Sequence, residues 1–342
     1  MSRIINLIKH YGLKDFCFKS YEKLTAPEKK YSACAGKYFP TEQELVKQRS
    51  TKFEKTPLLS IIVPTYETNV VYLEQMLDSV TQQTYSNWQL CIADGSKSNA
   101  VEKYVAAYIE KWKNKLPAAQ GTITYQHLKV NGGIAANTNA GIEMAEGEYI
   151  CFLDHDDVLT PNALFEMVHA LNENPRAELF YSDEDKATED LSAYIEPHFK
   201  TDYNPQLLLS YNYFCHFVMV SAALVEKVGT LRSEYDGAQD YDFVLRCSEL
   251  AKEVCHVTKM LYHWRINPNS TAADSSTKGY AFDGGARAIA AHLERIGVTH
   301  ATVEKRVDPG SYRLIYKMPN VEQEVTVLKS DASKEELDAV TT

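Results

Sequence analysis

Tyr149-Ile150-Cys151-Phe152-Leu153-Asp154-His155-Asp156-Asp157 decides how this 342-residue chain is read. The run from Tyr149 to Leu153 is continuously apolar and reads as a strand buried on both faces. It passes directly into three carboxylates within four positions. Asp154 and Asp156 are two apart, which at a strand end puts both side chains on one side of the chain. Two like charges that close need a positive partner, or one of them tends to stay protonated. A hard divalent ion with oxygen ligands, Mg2+ or Mn2+, meets that need, and such ions in turn hold phosphates. A solvated acidic turn is the plainer reading, and the neighbouring segments must decide between the two.

Upstream, Leu58-Leu59-Ser60-Ile61-Ile62-Val63 is a buried strand stopped by Pro64. Val70, Leu73, Met76, Leu77 and Val80 then recur at helical spacing. Trp88-Gln89-Leu90-Cys91-Ile92-Ala93 is a second strand ending at Asp94-Gly95-Ser96, and a helix follows to about Trp112. Residues 122–128 make a third strand and Asn131-Gly132-Gly133 a tight turn, since adjacent glycines permit backbone angles closed to other residues. A helix over 134–145 precedes the fourth strand, and Pro161 near a helix start fits the next helix. Continuously apolar strands alternating with helices predict an α/β fold with a mostly parallel central sheet covered on both faces. In open sheets of that kind ligands sit outside the carboxyl ends of the strands. Pro64-Thr65-Tyr66, Asp94 and the Asp154/Asp156 pair would then line one edge, which moves the acidic pair from a solvated turn toward function. No G-x-G-x-x-G and no G-x-x-x-x-G-K-[ST] occurs, so dinucleotide and P-loop readings lose their main support.

From Ala177 the alternation breaks. Residues 178–185 read as a strand running into Asp183-Glu184-Asp185, 194–204 as aromatic and irregular, and 214–220 as a strand carrying His216. A short helix at 224–228 stops at Gly229. Asp240-Tyr241-Asp242 opens a helix to 250, where acidic residues suit the N-terminus. A strand over 254–264, a loop from Arg265 to Ser270, a helix over 282–296 and one or two short strands within 301–328 complete the body. Residues 330–342 are polar and expected to fray.

Hydrophobic content of 44% and charged content of 24% belong to an ordinary globular chain. The net charge of −10 excludes a general nucleic-acid binder, which needs a basic face. Seven scattered cysteines without a C-x-x-C pair point to a reducing, cytoplasmic compartment and away from structural zinc. No apolar run approaches the ~20 residues of a membrane span, and the start lacks a signal-peptide core. Residues 1–30 carry seven basic against three acidic side chains interleaved with Ile4, Ile5, Leu7, Ile8, Tyr11, Phe16 and Phe18. That is either a basic amphipathic helix for an anionic membrane surface or a helix docked on the main domain. Residues 31–56 read as a linker or peripheral segment.

Taken in order, V-P-T-Y, A-D-G-S, N-G-G-I-A-A-N-T-N-A-G, F-L-D-H-D-D, Y-S-D-E-D-K, Q-D-Y-D-F-V-L-R and Y-H-W-R resemble the motifs of family-2 glycosyltransferases. The resemblance covers about residues 57–300 and implies a GT-A fold and inverting transfer from a nucleotide-sugar. It also divides the chain into an N-terminal extension (1–56), a nucleotide-binding half (57–160), an acceptor-binding half (161–300) and a C-terminal extension (301–342). The Y-S-D-E-D and Y-H-W-R pieces look like the subgroup that builds bacterial surface polysaccharides, rhamnosyltransferases among them. In that subgroup a segment like 312–317 often leads into a second transferase domain, so the chain reads as a single catalytic unit or a fragment.

The resemblance also implies roles. Pro64, Thr65, Tyr66 and Glu67 would surround base and ribose, or simply terminate a strand. Asp94 would accept the N3–H of a pyrimidine, or cap a helix with Ser96. Asn131, Gly132 and Asn139 would border ribose and diphosphate. Asp154, with His155 beside it, would contact ribose or metal-bound water, Asp156 would ligate the metal, and His263 would add a metal or diphosphate contact. Arg265 would clamp the diphosphate or form a surface ion pair. Asp240 stands where the family has its general base, preceded by Gln239 in place of a common glutamate. Asp183 and Asp185 would hold donor hydroxyls, and His216 would line the acceptor cleft or be a buried strand histidine. The implied cofactor is Mn2+ or Mg2+. The implied partners are a nucleotide-sugar (dTDP-rhamnose or a UDP-hexose) and a glycan or lipid-linked acceptor, at the inner membrane face. Oligomeric state stays open. The rival readings are a sugar-phosphate nucleotidyltransferase, whose glycine-rich basic loop is missing after Val63, and an inactive sugar- or partner-binding module.

Overall fold

The structure, a computed structural model, describes residues 31–113, 121–266, 279–308 and 310–317. The basic segment 1–30 and the polar tail 330–342 lie outside them. Thr41 opens α1 (Glu42–Ser50) with a capping box, its hydroxyl accepting from Glu44 N while the Glu44 carboxylate accepts from Thr41 N. Next come β1 (Leu59–Thr65), α2 (Val70–Thr81), β2 (Trp88–Asp94), α3 (Ala100–Lys113), β3 (Thr122–His127), α4 (Ile134–Glu143) and β4 (Tyr149–Phe152). The second half contains β5 (Val158–Leu159), α5 (Ala163–Glu173), β6 (Leu179–Ala187), β7 (Tyr194–His198), α6 (Pro205–Leu208), β8 (Val218–Ser221), α7 (Ala222–Val228), α8 (Gln239–Leu250) and β9 (Val254–Arg265). It closes with α9 (Gly279–Arg295), β10 (Ala301–Lys305) and β11 (Tyr312–Tyr316).

Among the described residues the main sheet runs β3-β2-β1-β4-β8-β6-β9-β5, with β7 on β6. The first four strands are parallel, as expected from their apolar runs. β8 is antiparallel to both β4 and β6, while β6 and β9 return to parallel. Every residue of β1 and β2 is buried because helices cover both faces. Alternation assigns them to two cores. Leu59, Ile61 and Val63 meet the layer that also holds Leu73, Leu77 and Val105, whereas Ile62 and Cys91 meet Ala135, Phe243 and Val244. That double burial places the carboxyl ends of β1, β2 and β4 at one edge.

Residues 31–56 are not a linker. Phe53 packs on Phe165 at 4.9 Å between ring centroids, Gln48 donates to Glu166, and Asn172 bonds both Lys55 N and Lys55 O. The polar character of this segment goes into specific hydrogen bonds with the body. At the other end, β10 and β11 form an antiparallel hairpin against α9. Gly285 on α9 makes this approach possible, since a Cβ there would fall 2.0 Å from Tyr312 Oη.

Candidate active site

The edge begins with two strand ends of different character. Asp94 closes β2 and is fully buried. Its Oδ1 accepts from Thr65 Oγ1 (3.0 Å), Ser96 N (3.0 Å) and Ser96 Oγ (2.5 Å), and its Oδ2 accepts from Tyr125 Oη (2.6 Å). Burial pushes this carboxyl up, but the hydroxyls of Ser96 and Tyr125 and the Ser96 amide outweigh it and hold it below the usual range. Glu67, at φ +46°, continues the same knot. Its amide donates to Ser96 Oγ, and its carboxylate accepts from Lys97 N, Ser98 N and Ser98 Oγ. Tyr66 is exposed beside it and Thr65 is buried. The loops after β1 and β2 are therefore tied together by the residues expected around a base.

The acidic turn after β4 is held from the far side. Asp157 accepts from Tyr262 Oη (2.5 Å) and Arg265 N (2.7 Å), and Arg265 Nε donates to the Asp156 carbonyl (2.5 Å). Arg265 is fully buried, its guanidinium 4.7 Å from the Tyr72 ring, so it is no surface ion pair. Its Nη2 has no hydrogen-bond partner among the described residues. Tyr262 Oη also receives the Asp154 amide (3.4 Å). Burial pushes the Asp154 carboxyl up; His216 opposes that, and Asp156 and Asp240 reinforce it. His155 Nδ1 lies 4.0 Å from Asp156 Oδ1.

Beneath this turn lies a cavity of about 110 Å³. It brings together Pro64, Asp154, His216, Gln239 and Asp240, five of the residues singled out from the sequence. Asp240 reaches it from the first turn of α8, where its Oδ2 accepts from Asn212 Nδ2 (2.9 Å) and Cys215 Sγ (3.1 Å). Gln239 accepts from Gly237 N. Asp242, two residues on, faces away, pairing with Arg232 and with Arg246 (3.0 Å). His216 Nδ1 is 3.0 Å from Glu184 Oε2. Burial alone would lower the His216 pKa, but the Glu184 carboxylate overrides it and lifts the imidazole to about 9, so the ring is charged at neutral pH.

Other candidates are not brought to this cavity. His263 pairs with Asp185 (2.5 Å) and sits between the rings of Phe39 and Tyr194. Asp185 also accepts from Tyr31 Oη (2.7 Å). Asp183 accepts from Lys200 N and pairs with His256 Nε2, both at 2.8 Å. Both aspartates are buried in β6 rather than carried on a solvated loop. Asn139 is taken by the backbone of Leu231 in both directions, at 2.8 and 2.9 Å. Asn131 accepts from Asn137 Nδ2 and Gly133 N. Gly132 is exposed beside it. Gly133 itself needs its missing side chain, with φ at +91° and Asp236 Oδ2 standing 2.6 Å from where a Cβ would be.

Residues 60–229 match the model of glycosyl transferase family 2. The chain belongs to that family. It is 36% identical over 304 residues to an uncharacterized protein of Sinorhizobium fredii, covering 88% of this chain and 32% of that one. It is 30% identical to the O-antigen biosynthesis protein RfbC of Myxococcus xanthus, covering 84% of this chain and 22% of that protein. Against the putative colanic acid biosynthesis glycosyl transferase WcaA of Escherichia coli the identity is 29%, over 67% and 79% of the two chains. The chain thus spans less than a third of the first two relatives.

Among solved structures it is similar to S. aureus TarS in complex with UDP-GlcNAc (TM-score 0.53, 18% identity, 69% of this chain and 66% of that one). It is also similar to the mannosyltransferase PcManGT from Pyrobaculum calidifontis in complex with GDP-Man and Mn2+ (TM-score 0.50, 14% identity, 74% and 70%). At those identities the likeness shows the fold, which is GT-A-like.

In this family-2 domain several cavity residues escaped sequence reasoning. Tyr262 bridges Asp154 and Asp157, Asn212 and Cys215 hold Asp240, and Glu184 holds His216. Tyr262 and Glu184 carried a signal, their places in Y-H-W-R and Y-S-D-E-D-K, and Asn212 and Cys215 carried none. Among the described residues no group of three or more His, Cys, Asp or Glu side chains is gathered for a metal ion, and no helix is long and apolar enough to cross a membrane.

Proposed function

We propose that this chain transfers a sugar from a nucleotide-sugar to a hydroxyl of a surface polysaccharide or lipid-linked glycan, with inversion at the anomeric carbon. One observation carries the reading: Asp240 from α8 and Asp154 from the end of β4 line the same cavity. The first has the position for a general base and the second belongs to the acidic turn proposed to face the donor diphosphate. Asp240 takes the proton of the acceptor hydroxyl. The freed oxygen bonds to the anomeric carbon, the bond from that carbon to the diphosphate oxygen breaks, and the nucleoside diphosphate leaves with the electron pair. Asn212 and Cys215, both donating to Oδ2, fix the base against rotation. The charged His216 ring, beside Asp154, supplies positive charge on the donor side.

Asp154 and Asp156 fit a hard divalent ion. Both offer only oxygen ligands, and the repulsion that helps push Asp154 up is what a cation relieves. Magnesium of this kind is held by one or two carboxylates with substrate phosphates, so a pair suffices. Bound there, Mn2+ or Mg2+ would supply charge stabilisation for the departing diphosphate. His263 stays a proposed further contact, since its hydrogen bond to Asp185 engages only Nδ1 and a ligating histidine commonly rests its other ring nitrogen on a carboxylate. dTDP-rhamnose is the first donor to try and the UDP-hexoses the next, at the cytoplasmic face of the membrane with residues 1–30 as a peripheral contact.

The test is release of nucleoside diphosphate from a panel of nucleotide-sugars with Mn2+, Mg2+ or EDTA. Release from one donor, abolished by EDTA and by Asp156→Ala, is the expected result. Asp240→Asn is expected to lower transfer by on the order of 10²–10⁴ while donor binding persists. Undiminished transfer by that variant removes Asp240 from the role of base.

A further inference from the structure

Lys200 follows β7, and its side chain is entirely buried. An ammonium has three N–H donors, and each of these has an acceptor: Glu184 Oε2 (3.4 Å), Phe214 O (3.3 Å) and Cys215 O. The backbone amide of Lys200 donates to Asp183 Oδ1 (2.8 Å). One residue thus ties β6 to the two carbonyls that immediately precede His216.

We propose that Lys200 is a positioning residue for sugar transfer: paired with Glu184, it braces segment 214–216 so that the His216 ring is held beside Asp154 in the cavity. The proposal rests on the transferase reading, which gives that ring its task toward the donor diphosphate.

His216 is fixed in three ways. Its Nδ1 donates to Glu184 Oε2 (3.0 Å), its face lies on the Tyr262 ring at 5.3 Å and 14°, and the carbonyl before it is held by Lys200. Tyr262 in turn donates to Asp157 and accepts the Asp154 amide, so the imidazole is placed against the acidic turn. With Nδ1 engaged, Nε2 is the nitrogen left for the cavity that the ring lines. Cys215, whose carbonyl Lys200 holds, donates its thiol to Asp240, so the same brace reaches the base. Stability does not account for this arrangement. An ion pair buried this deeply gains little net free energy, because desolvating both charges offsets their attraction. What a lysine adds is geometry, through charge-assisted bonds that join β6 to the loop before β8. Burial pushes the Glu184 carboxyl up, but Lys200 and His216 outweigh it and hold it well below the usual range, so it accepts from both as an anion.

The experiment joins turnover to amide hydrogen exchange, both on the full chain. Lys200→Met keeps an unbranched side chain and removes the ammonium. Release of nucleoside diphosphate from the nucleotide-sugar that the donor panel selects is expected to slow about tenfold at saturation, with KM within about twofold, because the charge that His216 meets grows in the transition state. In a His216→Gln protein the same substitution should slow turnover by less than about twofold more. A full further tenfold loss in that background overturns the proposal, since Lys200 would then not act through His216. A raised KM with unchanged turnover overturns it as well. Exchange needs no substrate: peptides covering 212–217 are expected to exchange at least about tenfold faster in Lys200→Met, with α5 at the wild-type rate. Unchanged exchange at 212–217 overturns the brace. Should Lys200→Met fail to fold, Glu184→Gln, which keeps an acceptor for both cations, is expected to show the same split between turnover and KM and the same small effect in the His216→Gln background; a full further loss there overturns the proposal. If wild type turns over no nucleotide-sugar, the transferase reading alone fails and exchange at 212–217 decides the brace.

Discussion

Asp94 and Asp154 close parallel strands two positions apart in one sheet, and both are acidic residues at the edge where ligands are expected, yet they are opposites. Asp94 accepts hydrogen bonds from Thr65, Ser96 and Tyr125, and those bonds hold its carboxyl below the ordinary range against its burial. Asp154 is pushed above it by burial, with Asp156 and Asp240 adding to the shift. The first carboxylate is already satisfied by the protein. The second is charged at neutral pH only at a cost that a cation or a ligand's donors would relieve. A carboxylate supplied with its own donors is architecture, and one denied them is the better candidate for chemistry.

The comparison breaks most visibly at Asp94. Asp94→Ala would strand the buried hydroxyls of Thr65 and Ser96, and is expected to cost about 3 kcal/mol of stability by urea denaturation. The pH dependence has a definite sign. A carboxyl whose folded pKa lies below its ordinary value of about 3.9 contributes stability that is complete above that value and is lost as pH falls through the folded one. Wild type should therefore lose, in acid below about pH 4, a component that the variant never had. A variant of undiminished stability that had lost nucleotide affinity would give Asp94 the base-binding role that the resemblance implies.

A smaller effect of opposite sign is expected at Asp154. Its folded pKa is raised, so the ionised form destabilises the fold increasingly as pH rises from the ordinary carboxylate range through the raised value. Asp154→Asn is expected to gain about 1 kcal/mol at neutral pH. Mn2+ in hundredfold excess over its Kd would add about 2.7 kcal/mol to wild type, seen as a higher unfolding temperature. The asparagine variant should not respond. Equal stabilisation of both by Mn2+ would move the ion away from this turn.

What the sequence made legible follows from how strongly each feature is dictated. Strands β1, β2 and β4 were read within a residue or two because burial on both faces leaves unbroken apolar runs. Their polar ends followed from the rule for parallel sheets. β6 was likewise read as a strand, but which of its carboxylates meets the cavity was not legible. The resemblance implied that Asp183 and Asp185 hold donor hydroxyls and gave Glu184 no role, whereas Glu184 holds the cavity residue His216. The register between β6 and β9 shifts on either side of Asp183, and such an irregularity changes which side chains meet without any mark in the sequence. His263 lies opposite Asp185 in the same pair of strands, a pairing the sequence does not mark. Asn212 and Cys215 were invisible for a different reason: their work is to hold Asp240, which lies 28 and 25 positions away.

Asn139 extends the contrast to a neutral side chain and gives its mildest test. The resemblance implied that it borders ribose and diphosphate, from the helix that follows the Asn131-Gly132-Gly133 turn. Instead its amide group both donates to Leu231 O and accepts from Leu231 N, pinning α4 to the loop that precedes α8. Like Asp94, it is fully used by the protein. Asn139→Ala removes two neutral hydrogen bonds at a half-buried site and is expected to cost about 1–2 kcal/mol of stability. Because that loop leads to Asp240, any loss of transfer should appear in the turnover rate and not in the affinity for donor. A variant of normal stability whose donor affinity falls tenfold would show that the amide leaves Leu231 when the nucleotide-sugar binds, and would put Asn139 with Asp154 rather than with Asp94.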